Sequence, residues 1–408
     1  MGDVRNIVIV GGGLAGAKTA EALRSRGFDG AVTIVGAEAH RPYERPPLSK
    51  GLLLGKESRE SVFVHDEGWY AEHRVELRLG VRAVAIDRIT HEVRLDDGGV
   101  LGYDRLALAT GATPRRLRVA GADARGVHEL RTLDDSEALS KLFTTARRLV
   151  VVGAGWIGLE VTAAARAAGV EVAVVESARL PLLRVLGPEV AAIFAQLHAE
   201  HGVDLRFEAS LTEITTRDGA ATGVRLADGT QIDADAVLVG VGVAPNTALA
   251  QDAGLHVDDG VLTDASLRTD DPDIVAVGDI ARAFHPLLGR TIRVEHWANA
   301  LNQPTVAAAT LLGEQAQYDR LPYFFTDQYD LGMEYVGYVD PDGYDDVVLR
   351  GDVAGRELIA FWLKDGRVLA GMNVNVWDVG DDLKALISSG RSVESTRLSD
   401  PAVPLAEL

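Results

Sequence analysis

Residues 150–160 read VVVGAGWIGLE. A short apolar run, Leu149 to Val152, predicts a buried strand that enters a Gly153-x-Gly155-x-x-Gly158 turn. The stretch IGLEVTAAARAAG then predicts a helix, Val172 to Val175 a second strand, and Glu176 stands at that strand's tip. Glycines at this spacing permit a tight turn and close approach of the backbone to a pyrophosphate. The helix start offers amide donors and the positive end of its dipole to the same anion. An acid after the second strand can accept both hydroxyls of a ribose.

The same device occurs near the start of the chain. Ile7 to Val10 predicts a strand, Gly11-x-Gly13-x-x-Gly16 the turn, AGAKTAEALRSRG a helix ending at Gly27, and Val32 to Val35 a second strand with Glu38 just past its tip. The repetition extends beyond the turns. VRLDDGGVLGYDRLALATG (93–111) and VRLADGTQIDADAVLVGVG (224–242) align without a gap and share seven residues, including Asp104/Asp235 and Gly111/Gly242. Each predicts a hairpin turning at Asp-Gly, then a buried strand entering a glycine-ended loop. The chain is therefore read as α/β, with one dinucleotide-binding domain of Rossmann type present twice.

Composition narrows the function. The 408 residues exceed a single ordinary core. No apolar stretch approaches the ~18 residues that span a bilayer. The N-terminus lacks the basic region and cleavage site of a secretory leader. A net charge of −19 disfavours nucleic acid and anionic membranes. These features predict a cytoplasmic protein with neither kind of partner. There is no cysteine, so structural disulfides, thiolate-held clusters and cysteine nucleophiles are excluded. His198 and His201 share a helical spacing, but AQLHAEHG adds no further ligand, and no metal site is expected.

Two cradles imply two dinucleotides, and their juxtaposition implies electron transfer, for which a flavin and a nicotinamide are the natural pair. In TDDPDIVAVGDIAR (269–282), Asp279 follows the predicted strand Ile274 to Val277, where a carboxylate can take a ribityl hydroxyl or simply cap the next helix. Glu176 favours NADH over NADPH, because a carboxylate repels a 2′-phosphate; the nearby Arg179 and Arg184 soften that preference.

Taken together, these residues resemble the glutathione-reductase-type flavoproteins, and within them the NADH-dependent ferredoxin reductases of the putidaredoxin, rubredoxin and ring-dioxygenase type. The resemblance covers nearly the whole chain. It includes RPYERPPLSKGLLLGK (41–56), LATGATPR (108–115), LRTLDD (130–135), VGVGVAPN (239–246), VGD (277–279) and FFTDQYD (324–330), of which PPLSK and DQYD are the most specific. It implies FAD in the first cradle and NADH in the second. The FAD domain would comprise 1–112 and 243–320, the NAD domain 113–242, and a C-terminal α+β interface domain 321–408.

Carried onto this sequence, the resemblance assigns FAD contacts to Gly11, Gly13, Leu14, Ala15, Gly16, Glu38, Arg45, Lys50, Ala83, Arg131, Asp279 and Trp297. Nucleotide contacts fall to Gly153, Gly155, Ile157, Gly158, Glu160, Glu176 and Gly242. Lys50 is placed near the flavin ring, Trp297 against it, and Glu160 near the nicotinamide and able to pair with Lys50. These three are the candidate catalytic residues. Two positions depart from the family pattern: Ala37 stands where relatives often carry an acid, with Glu38 next, and Phe325 replaces a common tryptophan.

A flavin accepts a hydride and releases electrons singly, and without cysteines the electrons must leave the chain. The implied acceptor is a two-iron ferredoxin or a rubredoxin serving a haem-thiolate monooxygenase or ring-hydroxylating dioxygenase. A monodehydroascorbate- or quinone-type NADH oxidoreductase, and an NADH-sensing flavoprotein resembling apoptosis-inducing factor, stay open. A monomer or weak homodimer is expected. Arg282, Arg290 and Arg293 are favoured over Arg115, Arg116 and Arg118 as the basic docking patch.

Overall fold

The computed structural model describes residues 4–408. They form two compact units: residues up to Glu44 with Arg59–Thr113 and Val243–Pro322, and Arg45–Ser58 with Pro114–Gly242 and Tyr323–Leu408. The short PPLSK segment thus groups with the second unit.

The first unit is built on a parallel five-stranded sheet in the order Ile274–Ala276, Arg105–Leu108, Asn6–Val10, Ala31–Gly36, Val75–Leu79. Ile7, Ile9, Ile34, Leu106 and Ala107 are fully buried, the continuous apolar character of strands covered on both faces. Leu14–Ser25 is the crossover helix from the first strand, and the turn before it is Gly11–Gly13. The helix Trp297–Leu311 also belongs to this unit, and Ala307, Ala308 and Leu311 join its core.

The second unit repeats the plan. Its parallel sheet runs Asp204–Arg206, Glu171–Val175, Arg148–Val152, Ala236–Val239, Val127–His128, with Trp156–Ala167 as the crossover helix. The fifth strand differs in origin. It follows the repeat in the first sheet and precedes it in the second. Tyr323–Leu408 adds an antiparallel five-stranded sheet with helices, an α+β arrangement, and its fully buried Trp362 donates an indole hydrogen bond to the Leu186 carbonyl at 3.1 Å.

The duplication reaches individual bonds. One Asp104 oxygen accepts the amides of Arg5 and Asn6 at 2.8 Å each; Asp235 does the same for Arg147 and Arg148 at 2.7 and 3.0 Å. Each aspartate staples the start of a central strand to the strand beside it. Arg24 donates to the carbonyls of Phe28 and His73, and Arg166 to those of Val170 and His201. Each arginine ties the end of its helix to the peptide leading into the outer strand. The paired hairpins turn at Gly98 and Gly229, as the Asp-Gly steps predict.

Candidate dinucleotide cradles and a buried ion pair

In both turns the three glycines have separable reasons. Gly11 lies at φ +134° and Gly153 at φ +101°, a region side chains avoid, and a Cβ there would stand 2.0 Å from the Ala109 oxygen or 2.5 Å from that of Gly240. A Cβ on Gly16 or Gly158 would come within 2.0 or 2.2 Å of the carbonyl oxygen of Gly11 or Gly153, so the helix could not pack on its strand. The middle glycines are different. A Cβ on Gly13 or Gly155 would meet no protein atom within 4 Å. The protein's own packing does not require glycine there, and the space left beside the backbone would let a ligand approach it closely.

The helix starts agree. Neither Gly13 nor Gly155 is accompanied by a capping side chain, whereas the helix Leu133–Phe143 begins with a complete box of Thr132 and Asp135. Two helix N-termini with their first amides uncapped by side chains, each beside an open glycine, suit the pyrophosphates of FAD and a nicotinamide nucleotide.

The acids at the strand tips are held in different ways. Glu176 accepts the amide of Ala154, inside the glycine turn, and that of Ala178, both at 2.8 Å. Its carboxylate is thereby fixed against the turn, where it would meet a ribose diol. Glu38 accepts the Tyr43 hydroxyl, while its own carbonyl takes the Gly80 amide at 2.9 Å. The Val81 amide binds the Gly36 carbonyl, bringing the start of Ala83–Asp87 close to the same strand tip.

In the first unit, the turn before Asp279 lies against the first cradle. Gly278, at φ +74°, gives its amide to Gln303 at 2.7 Å, and a Cβ on it would stand 3.2 Å from that of Ala15. Asp279 is near His296, whose pKa is pushed down to about 4 by burial against the opposing pull of that carboxylate. Trp297, first residue of its helix, donates to Glu44 at 2.9 Å. Ala15, Asp279 and Trp297 are thus brought together within one unit.

In the second unit, Arg45 donates to the Arg131 carbonyl, and the Arg131 amide binds Asp135 at 3.0 Å. Gly242, at φ +93°, accepts the Arg115 amide at 2.9 Å. Ile157, in the first turn of its helix, is 41% exposed.

Glu160 is buried on the same helix and receives three donors: Lys50 Nζ at 2.7 Å, Ser49 Oγ at 2.5 Å and Thr326 Oγ1 at 2.5 Å. A buried carboxylate left unpaired would cost several kcal/mol, and this constellation supplies both countercharge and hydrogen bonds. Lys50 also lies 5.2 Å from the centre of the Phe325 ring. Burial raises the pKa of the neighbouring Asp327, with Lys50 opposing and Glu160 adding to the shift. Ser49 and Thr326 are not among the residues expected from sequence. Both sit inside the PPLSK and FFTDQYD motifs, and that is the only signal that could have found them.

The favoured basic patch is largely neutralised within the chain. Arg282 pairs with Asp258 at 2.6 Å, and Arg293 with Asp259 and Glu295. Among the described residues there is no cluster able to hold a metal ion and no helix long and apolar enough to cross a membrane.

Residues 5–304 match the family described as pyridine nucleotide-disulphide oxidoreductase, and 323–408 match the reductase C-terminal family. The chain is 40% identical to putidaredoxin reductase of Pseudomonas putida over 99% of its own length and 96% of that protein's. It is 44% identical to the ferredoxin–NAD(+) reductase component of the anthranilate 1,2-dioxygenase system of Burkholderia cepacia, covering 98% of each. The crystal structure of the covalent putidaredoxin reductase–putidaredoxin complex superposes with a TM-score of 0.95 at 39% identity, covering 99% of this chain and 98% of that one. The chain belongs to the pyridine nucleotide-disulphide oxidoreductase family, in the branch that carries the reductase C-terminal domain.

Proposed function

We propose that this chain is an FAD-containing reductase that takes a hydride from NADH and passes electrons singly to a small iron–sulfur protein, a two-iron ferredoxin or rubredoxin, that feeds an oxygenase. The observation that carries the reading is the pair of cradles, each with a middle glycine that no protein atom demands. The names of the similar proteins support it: one is a putidaredoxin reductase, and another is the ferredoxin–NAD(+) reductase component of a dioxygenase system. With no cysteine in the chain, no disulphide can serve as an internal acceptor, and the electrons go to an external one.

Residues 1–112 and 243–320 form the FAD domain in this reading, 113–242 the NAD domain and 321–408 the C-terminal domain. Gly11, Gly13, Leu14, Ala15 and Gly16 hold the FAD pyrophosphate and Glu38 its ribose, with Ala83 toward the adenine. Asp279 takes the ribityl chain; Arg45, Lys50, Arg131 and Trp297 complete the flavin's surroundings. Gly153, Gly155, Gly158 and Gly242 line the nucleotide cradle. Glu176 accepts the ribose diol and sets the preference for NADH, and Ile157 offers an apolar surface to the visiting nucleotide. Lys50, paired with Glu160, places a positive charge on the flavin side and a carboxylate on the nicotinamide side. Bound FAD supplies the conversion of one two-electron event into two one-electron events. The protein is placed in the cytoplasm.

The test is cytochrome c reduction by the flavin-loaded protein, driven by NADH or NADPH, with and without a two-iron ferredoxin. NADH is expected to outperform NADPH, and ferredoxin to stimulate the rate. Absence of stimulation by every ferredoxin and rubredoxin tried would contradict the reading.

A further inference from the structure

Glu160 is the end of a row of buried polar side chains that the cradles do not account for. Thr326 Oγ1 reaches Glu160 at 2.5 Å, Gln328 Nε2 reaches Thr326 Oγ1 at 3.3 Å, and Gln328 Oε1 lies 2.8 Å from His198 Nε2. The Tyr329 hydroxyl lies 3.3 Å from His198 Nδ1, and the Tyr329 ring stacks on His201 with centroids 3.6 Å apart. His198, Gln328 and Thr326 are each at most 1% exposed. Such groups cost free energy to bury unless satisfied, and packing of the strand Tyr323–Gln328 on its neighbours would be served as well by apolar residues.

The direction of the row follows from its end. A carboxylate only accepts, so Thr326 must donate to Glu160. The Thr326 oxygen then accepts from the Gln328 amide nitrogen, which turns the Gln328 oxygen toward His198. His198 must therefore carry its hydrogen on Nε2, leaving Nδ1 bare to accept from Tyr329. Every donor points toward Glu160. The burial that pushes the His198 pKa down to about 4 keeps the ring neutral and the direction intact.

We infer that His198 and Gln328 are positioning residues for the Lys50–Glu160 pair, acting through Thr326. With one of its lone pairs engaged by Gln328, the Thr326 hydroxyl is held in the orientation that keeps its hydrogen on the carboxylate. The Lys50 ammonium then remains the countercharge of Glu160 in one geometry. This inference rests on the reading that the pair stands where nicotinamide and flavin meet.

The test measures flavin reduction by NADH in anaerobic single turnovers of the flavin-loaded protein, together with nitrogen NMR of its histidine rings. His198→Leu is expected to slow reduction about three- to tenfold, the loss of roughly one hydrogen bond's influence, with flavin retained. His198→Gln, which restores an amide donor near the Nε2 position, should recover most of the rate. In a Glu160→Gln background, His198→Leu should have no further effect. An equal slowing in that background, or no recovery with His198→Gln, overturns the inference. If His198→Leu fails to fold, Thr326→Val against Thr326→Ser asks the same question. The spectrum should show a neutral His198 ring protonated at Nε2 at pH 7; protonation at Nδ1, or at both nitrogens, overturns the assigned direction. An unchanged rate in Glu160→Gln alone overturns the reading of the pair and its dependence on the row, while the NMR result tests the row itself independently.

Discussion

At the first cradle, Ala15 is 7% exposed and the Gly278–Asp279 turn crosses it; at the matching position of the second, Ile157 is 41% exposed. The two turns share their glycines, uncapped helix starts, aspartate staple and arginine clamp. They differ in what covers them. At the first, the Gly278–Asp279 turn, which arrives from far along the chain, lies against Ala15, and Glu38 is engaged by a tyrosine hydroxyl. The second has its acid fixed by two backbone amides and an apolar side chain left in solvent. A packed side chain at this position suits a cofactor that stays, and an exposed apolar one a nucleotide that must arrive and leave.

The features shared by the two cradles should respond identically in both copies. Gly16→Ala and Gly158→Ala each place a Cβ within 2.0 or 2.2 Å of a backbone oxygen, where only the backbone can yield. Each is expected to lower stability by about 3 kcal/mol in thermal or urea unfolding. A fully stable variant of either would break the packing explanation for the third glycine. A smaller matched effect is expected from Asp104→Ala and Asp235→Ala, each of which removes an acceptor of two strand-end amides. About 1–2 kcal/mol should be lost from each, by the same measurement. A large difference between them would show that the staples, though alike in geometry, do not carry equal weight.

The smallest effect probes the difference between the cradles. Ile157→Ala should weaken NAD+ binding about three- to fivefold, close to 1 kcal/mol, and leave the unfolding midpoint unchanged because the side chain is already exposed. Unaltered affinity, read by titration calorimetry, would remove Ile157 from the nucleotide surface.

The two central strands, the helices after each turn and the repeated hairpins were legible because each depends on local pattern: apolar runs, glycine spacing and Asp-Gly turns. Structural boundaries shift by only a residue or two, as with Arg148–Val152 against Leu149 to Val152. The pairing of Lys50 with Glu160 was legible only through resemblance, since the partners are 110 residues apart. Ser49, Thr326 and the row from His198 were not legible. A serine, a threonine and a glutamine carry no periodic signal, and what gives them meaning is the buried carboxylate they converge on. The basic patch illustrates the converse: Arg282 and Arg293 read as available charge until Asp258, Asp259 and Glu295 fold beside them.

If the first cradle keeps its dinucleotide and the second receives one, the two should part company when their middle glycines are filled. Gly13→Val and Gly155→Val each add bulk where no protein atom lies within 4 Å of the new Cβ. Flavin content of the two purified proteins, read from the visible spectrum against protein concentration, is the measurement. Gly13→Val is predicted to purify folded but without flavin. Gly155→Val should purify with a full complement that NADH no longer reduces. Flavin lost from Gly155→Val and kept by Gly13→Val, or kept by both with normal reduction, would contradict the assignment.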